Sequence, residues 1–282
     1  MAQIIDGKKI STQIKDEVKE QVAALKQKGI DVTVAVIQIG KDPASTVYVG
    51  NKKKACEYVG IRSLAYELPE ETSEQELLEL VQSLNAKEDV DGILVQLPLP
   101  KHIDEDKVIR TISPDKDVDG FHPESVGRLS IGQPGFVSCT PAGIIQLLKR
   151  SGITIDGKEC VIIGRSNIVG KPMGMLLLRE NGTVTICHSH TPDLKTVAKR
   201  ADILVVAIGK AKFVDASYVK DGAAVIDVGM DRDENGKLCG DVDFASVEPV
   251  AGAITPVPGG VGPMTIAMLM NNCVESAQRK HC

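Results

Sequence analysis

Three features of the sequence predict an α/β fold in two lobes. The 282 residues, 43% of them hydrophobic, can bury a sizeable core and suit two α/β lobes or one large one. Short, β-branched apolar runs alternate with helical stretches, which implies right-handed crossovers and mostly parallel sheets. Finally, Glu159-Cys-Val-Ile-Ile-Gly-Arg-Ser-Asn-Ile-Val-Gly-Lys-Pro172 passes from an apolar strand through a glycine turn into a helix. In that layout backbone N–H groups and a helix N-terminus face an anion.

Residues 8–28 place Ile10, Ile14, Val18, Val22 and Leu25 at spacings of four and three, an apolar stripe on a charged helix that ends at Gly29. Residues 32–39 are β-branched and nearly all apolar, as in a strand buried on both faces. Residues 40–45 break that strand, a second helix is predicted over 45–59, and residues 61–68 read as strand. Ser73 and Glu76 form a capping box that opens a helix reaching Asn85. Residues 92–98 are the third strand, and Gln96, Pro98 and the loop after them are expected at the ligand-binding carboxyl edge. Residues 113–138 carry Gly, Pro and Asp with little periodicity and are expected to form a long functional loop.

Thr140 as a cap with Pro141 at the first helical position predicts a helix to Arg150 that leads out of the first lobe. Strands over 160–163, 183–187, 203–207 and 224–228 then alternate with helices over 171–180, 194–201 and 215–220, a Rossmann-like pattern. Residues 256–263 are too rich in Pro and Gly for regular structure. A last helix over 264–280 has no strand to feed and is expected to pack on the first lobe. The lobes are therefore placed at 1–139 plus 264–282 and at 140–263.

The formal net charge of −5, without basic blocks beyond Lys52-Lys53-Lys54, argues against a nucleic acid or an acidic membrane as partner. The start lacks a signal-peptide core, and the longest apolar runs, such as residues 203–208, are far too short to span a bilayer. A cytoplasmic protein is expected. Its seven cysteines are scattered without a Cys-x-x-Cys pair, as reduced structural thiols are. His188 and His190 lack the carboxylate or cysteine neighbours of a zinc site, and no metal is expected.

The glycine turn departs from the dinucleotide fingerprint, since Ser166 replaces the second glycine and Gly170 comes one residue late. Gly164 and Gly170 could therefore merely turn the chain. At the end of the next strand, where an NAD site usually carries Asp or Glu, stand His188, Ser189, His190 and Thr191, with Arg165 offered by the turn. That set suits a ribose 2′-phosphate, and NADP is the expected cofactor.

Tyr48 and Lys52 lie four apart, on one face of the second helix. Taken alone, Lys52 could be a solvated surface charge, as Lys53 and Lys54 are read. Asp115, Asp117, Asp119 and Gly120 match the opening of an EF-hand loop, but Val126 stands where the bidentate glutamate is required, so calcium is not expected. One of these carboxylates could instead accept two parallel N–H bonds from an amino-pyrimidine-like edge, or simply close a turn.

Tyr48-x-x-x-Lys52, Val95-Gln-Leu-Pro-Leu99, Asp117-Val-Asp-Gly120, Gly164-Arg-Ser-x-x-Val-Gly-x-Pro172 and Pro256-Val-Pro-Gly-Gly-Val-Gly-Pro-Met-Thr265 occur in order along the whole chain. Together they resemble the bifunctional methylenetetrahydrofolate dehydrogenase/cyclohydrolase family. The resemblance implies a folate site in the cleft between an N-terminal substrate lobe and an NADP lobe. There 5,10-methylenetetrahydrofolate gives a hydride to NADP, and water opens the methenyl product to 10-formyltetrahydrofolate, serving one-carbon metabolism and purine biosynthesis. It implies that Tyr48 orients the folate, Lys52 handles the proton, Gln96 holds Lys52 and Asp119 takes the pterin's amino edge. Pro258, Gly259 and Gly260 would line the folate pocket. Arg165 and Ser189 would hold the 2′-phosphate, with Gly164, Ser166 and Met230 near the rest of the dinucleotide. Relatives usually carry Ile at the place of Met230, so a backbone contact is expected there. The resemblance also implies a homodimer joined through the dinucleotide lobe. A binding protein that lost its chemistry is disfavoured by the complete set of Lys52, Gln96 and Asp119, and another two-lobed NADP dehydrogenase by the five ordered motifs.

Overall fold

The computed structural model describes residues 2–281, with the side chains of residues 43 and 44 left aside. The chain divides into two compact units, Thr12–Val137 with Ile266–Cys282 and Met1–Ser11 with Ser138–Thr265.

The chain opens with the short strand β1 (Gln3–Ile4) and helix α1 (Gly7–Gln27), whose stripe of Ile10, Ile14, Val18, Val22 and Leu25 is buried. Gly29 follows at φ +78°, a left-handed stop that glycine adopts without strain. All seven residues of β2 (Thr33–Ile39) are buried, as its apolar run requires at the centre of a parallel sheet. Helix α2 (Pro43–Val59) is capped by Asp42, whose carboxylate accepts from Ser45 N at 2.8 Å. Edge strand β3 (Arg62–Leu68) lies on one side of β2, and helix α3 (Glu74–Ala86) opens with the Ser73/Glu76 capping box and buries Leu77, Val81 and Leu84. Strand β4 (Gly92–Val95) completes the order β3-β2-β4, and α4 (Glu105–Thr111) covers its exit.

The expected long loop over 113–138 holds a 3-10 turn at Pro114–Lys116 and a helix, α5 (Pro123–Ser130). His122 Nδ1 caps that helix by accepting from Glu124 N at 3.1 Å, and two turns are too short to display a period. Helix α6 (Cys139–Arg150) begins before Thr140, with Ser138 at the N-cap position. The Thr140 hydroxyl is spent on Thr265 Oγ1 at 2.9 Å rather than on a cap.

The second sheet is built from β5 (Glu159–Ile163), α7 (Gly170–Arg179), β6 (Thr183–Cys187), α8 (Leu194–Ala198), β7 (Ile203–Val206) and β8 (Ala224–Asp227). A hairpin of β9 (Asp231–Arg232) and β10 (Leu238–Cys239) follows, then α9 (Phe244–Val247), β11 (Ala253–Ile254) and the long α10 (Val261–His281). The helix expected over 215–220 is a single 3-10 turn, Ala216–Tyr218. The sheet is parallel throughout in the order β1-β11-β8-β7-β5-β6, and its core gathers Val161, Ile163, Leu204, Val206, Val225 and Ile254.

Residues 1–11, grouped from sequence with the first lobe, lie with residues 138–265. Gln3 N donates to Gly252 O and Ile5 N to Ile254 O, each at 2.9 Å, which adds β1 to this sheet's edge. The Pro/Gly run is regular at its end, because α10 starts at Val261 and takes Pro263 into its first turn, where the missing N–H costs nothing. Further along α10, Asn272 Nδ2 donates to Val118 O (2.8 Å) and Val137 O (3.1 Å). Ser276 Oγ similarly reaches Asp91 O (2.6 Å) and Asp115 O (2.9 Å). Among the described residues no helix is long and apolar enough to cross a membrane.

Candidate active site

Tyr48 and Lys52 project from α2 one turn apart. Lys52 is only 7% exposed, and a lysine so buried needs a partner. Its Nζ donates to Gln96 Oε1 at 3.0 Å. Gln96 stands one residue beyond β4, with its main-chain N–H on Ile37 O at 2.8 Å, so the sheet fixes its Cα. Its Nε2 donates to Leu97 O at 2.6 Å, which turns the amide oxygen toward the lysine. Asp119 is half-buried on the following loop; burial pushes its carboxyl up and the Lys52 charge draws it back. Burial also raises the Tyr48 phenol.

Asp117 folds the loop that presents Asp119. It is 1% exposed and accepts from Phe121 N (3.2 Å), His122 N (2.8 Å) and Ser125 Oγ (2.7 Å). Burial outweighs these donors and lifts its carboxyl to about 6. Within Asp117-Val-Asp-Gly120, then, the first carboxylate is consumed by the turn, Gly120 supplies φ +72°, and Asp119 is the one left facing Lys52. Val118, between them, packs on Gly92, where an added Cβ would meet Val118 Cγ1 at 2.5 Å.

In the other unit, Gly164 leaves β5 at φ +133° with its N–H on Cys187 O at 3.0 Å. An added side chain there would fall on the Ala207 carbonyl, and one at Gly170 would fall on the Gly164 carbonyl. The two glycines therefore let the turn, the start of α7 and the exit of β7 close on one another, leaving main chain to face a ligand. Ser166 Oγ accepts from Val169 N (3.2 Å) and Gly170 N (3.3 Å), closing the turn before α7 at the place of the missing second glycine. Arg165 is exposed on this turn, as are Ser189 and His190 beyond β6, the strand beside β5. His188 N donates to Thr191 Oγ1 at 2.9 Å and His190 N to His188 Nδ1 at 3.2 Å, which closes that second turn.

Met230, past β8, is 48% exposed. Pro258 is exposed, whereas Gly259 (φ +110°) and Gly260 are buried, and a Cβ on Gly260 would meet Pro256 O at 2.6 Å. Lys8 N donates to Gly259 O at 3.1 Å, which seats this turn on the start of α1. Among the described residues no group of His, Cys, Asp and Glu is arranged to hold a metal.

Tyr48, Lys52, Gln96 and Asp119 thus share one unit, and Gly164, Arg165, Ser166, Ser189, Met230 and Pro258 to Gly260 share the other. Sequence reasoning missed the buried carboxylates that hold the loops. Asp117 carried a signal in its Asp-x-Asp-Gly spacing, but Asp227 and Asp241, described below, carried none.

Comparison with known proteins agrees with this division. Residues 5–119 match the model described as tetrahydrofolate dehydrogenase/cyclohydrolase, catalytic domain, and residues 138–281 match the NAD(P)-binding domain of the same family. The chain is 74% identical over 279 residues to the bifunctional protein FolD of Lachnoclostridium phytofermentans, covering 99% of each. A Campylobacter jejuni structure of the bifunctional enzyme FolD, methylenetetrahydrofolate dehydrogenase/cyclohydrolase, superposes with a TM-score of 0.97 at 50% identity and 99% coverage of each chain. The Trypanosoma brucei methylenetetrahydrofolate dehydrogenase-cyclohydrolase, complexed with NADP cofactor and inhibitor, does so with 0.94 at 40% identity, covering 99% of this chain and 98% of that one. On these matches, and with both of the family's domains present in order, the chain belongs to the tetrahydrofolate dehydrogenase/cyclohydrolase family.

Proposed function

We propose that this chain oxidises 5,10-methylenetetrahydrofolate to 5,10-methenyltetrahydrofolate with NADP and hydrolyses that product to 10-formyltetrahydrofolate. The observation that carries the reading is the buried Lys52–Gln96 pair, an amine aimed by a neutral amide beside a carboxylate that is still available. Opening the methenyl carbon requires a base to take a proton from the attacking water. Lys52 Nζ is that base, and Gln96 directs it through the hydrogen bond between them. Asp119 accepts the amino edge of the pterin, and Tyr48 orients the ring. In the other unit, Pro258, Gly259 and Gly260 meet the folate through main chain.

Bound NADP supplies the acceptor for the hydride. The glycine cradle fits its pyrophosphate, since no side chain at 164 or 170 stands between a ligand and the turn that opens α7. Arg165 and Ser189 take the 2′-phosphate, with Ser166 and the Met230 backbone beside the rest. NADPH absorbance on mixing protein, methylenetetrahydrofolate and NADP tests the first step, and loss of methenyl absorbance without coenzyme tests the second. Silence in both assays refutes the reading.

The working form is a homodimer, in the cytoplasm. Strand β6 is a sheet edge with Val184, Thr185 and Ile186 half-buried, and Leu178 on the adjacent α7 is 57% exposed, which supports pairing of two copies there. Six buried free cysteines suit a reducing compartment. A sedimentation mass equal to the monomer's at micromolar concentration would refute the dimer.

A further inference from the structure

At the carboxyl edge of the six-stranded sheet stand three carboxyl groups that the proposed chemistry does not use: Asp227 ending β8, Asp231 in β9 and Asp241 just past β10. Asp241 is fully buried, and its carboxylate accepts from Ile208 N at 2.8 Å and Lys210 N at 2.6 Å. Those two amides belong to the loop leaving β7. The loop is conformationally demanding, with Gly209 at φ +64° and, two residues beyond Lys210, Lys212 at φ +54°. A lysine persists in that region only where its surroundings over-determine it. Here Lys212 N donates to Gly240 O (2.9 Å) and Val214 N to Asp241 O (3.0 Å).

The same loop is one wall of the glycine cradle. Ala207 N donates to Ile163 O at 2.8 Å, and the Ala207 carbonyl occupies the space that a side chain on Gly164 would need. Asp241 is itself pinned, because Asp227 accepts from Gly229 N (2.9 Å), Asp241 N (2.9 Å) and Val242 N (3.0 Å). Glycine is required at 229 and 240, where a Cβ would strike Asp241 N and the Asp227 carboxylate respectively.

We infer that Asp241 is a positioning residue for the dinucleotide, holding the β7 exit loop against the glycine cradle. The inference rests on the coenzyme assignment above.

The test uses NADPH fluorescence titration and coenzyme-free methenyl hydrolysis on the wild type, Asp241→Asn and Asp241→Glu. Asparagine at 241 presents an N–H to one of two amides that both need an acceptor. NADPH affinity is expected to fall about tenfold or more, and KM for NADP to rise with kcat nearly unchanged. Hydrolysis, whose side chains Lys52, Gln96 and Asp119 lie in the other unit, should stay at the wild-type rate; a merely structural role would lower both together. NADPH affinity within about twofold of wild type in an Asp241→Asn protein that still hydrolyses overturns the inference. Should that variant not fold, Asp241→Glu decides: it keeps the charge but displaces the carboxylate from the two amides, and NADPH affinity within about twofold of wild type in a protein that still hydrolyses overturns the inference. If the wild type itself fails to bind NADPH, the coenzyme assignment falls, and this inference with it.

Discussion

Around Lys52 the chemistry is carried by side chains on regular elements, whereas around Gly164 it is carried by main chain and by the lack of side chains. Lys52, Gln96 and Asp119 come from a helix, a strand end and a loop pinned by Asp117, and each is oriented by named hydrogen bonds or charge. The glycine cradle instead works because nothing protrudes at 164 and 170. The two constructions fail differently. The first is broken by deleting a functional group and the second by adding a methyl.

The largest expected effect is that of Lys52→Met. Methionine keeps much of the apolar stem, and methenyl hydrolysis should fall about 10²- to 10⁴-fold while NADPH formation remains measurable. Separate assays of the two half-reactions check this; hydrolysis at the wild-type rate would leave Lys52 only a positioning role. Next comes Gly170→Ala, whose Cβ falls on the Gly164 carbonyl. Overpacking of about 1–3 kcal/mol should weaken NADPH binding about 10- to 100-fold, read by fluorescence titration, with coenzyme-free hydrolysis preserved. Loss of both activities together would erase the contrast between the sites. Arg165→Ala is milder. Removing one charge-assisted hydrogen bond, about 1.5–3 kcal/mol, should cut the preference for NADP over NAD about 10- to 100-fold, measured as the ratio of kcat/KM values.

The smallest signal is a titration that both units share. Burial lifts Asp117 to about 6 and Asp227 to about 7, against an ordinary 3.8. Since the folded chain holds protons that the unfolded chain has released, each group subtracts stability as pH rises from about 4 through its folded value, on the order of 3 kcal/mol for Asp117 and about 4 kcal/mol for Asp227. Carbon-detected NMR of the aspartate carboxyls, assigned with the Asn variants, should show the two late titrations. Ordinary values for both would mean that the backbone donors outweigh burial.

Much of this fold is legible in the sequence because its inner strands are short, buried, mostly apolar runs; residues 33–39, 160–163 and 203–206 have no other stable place than the interior of a parallel sheet. Helices with a stripe or a cap, such as α1 and α3, are equally plain. What escaped was short or non-local. Strand β1 has two residues and finds its partner, β11, at the far end of the chain. Helix α5 and the β9–β10 hairpin are too brief to show a period. At the sites, the spacing of Tyr48 and Lys52 was visible locally. Gln96 was placed at the ligand-binding edge by its strand, but its pairing with Lys52, 44 residues away, entered only through the resemblance to a known family. Asp117 stood only among several carboxylates that could close a turn, and Asp241 carried no signal, because the groups they bind are backbone amides whose convergence exists only after folding.

The burial of six cysteines makes the molecule its own clock for local opening. A thiol reagent reaches a buried sulfur only when the surrounding structure parts. Cys56 and Cys273 sit in the unit that holds Lys52, Cys160 and Cys187 in strands beside the glycine turn, and Cys239 in the hairpin above Asp241. With Cys282, which lies outside the described residues, replaced by serine, pulsed labelling followed by peptide mass spectrometry would time each region separately. Cys239, held in a strand of two residues, should label first, and coenzyme should slow it while leaving Cys56 and Cys273 at their own pace.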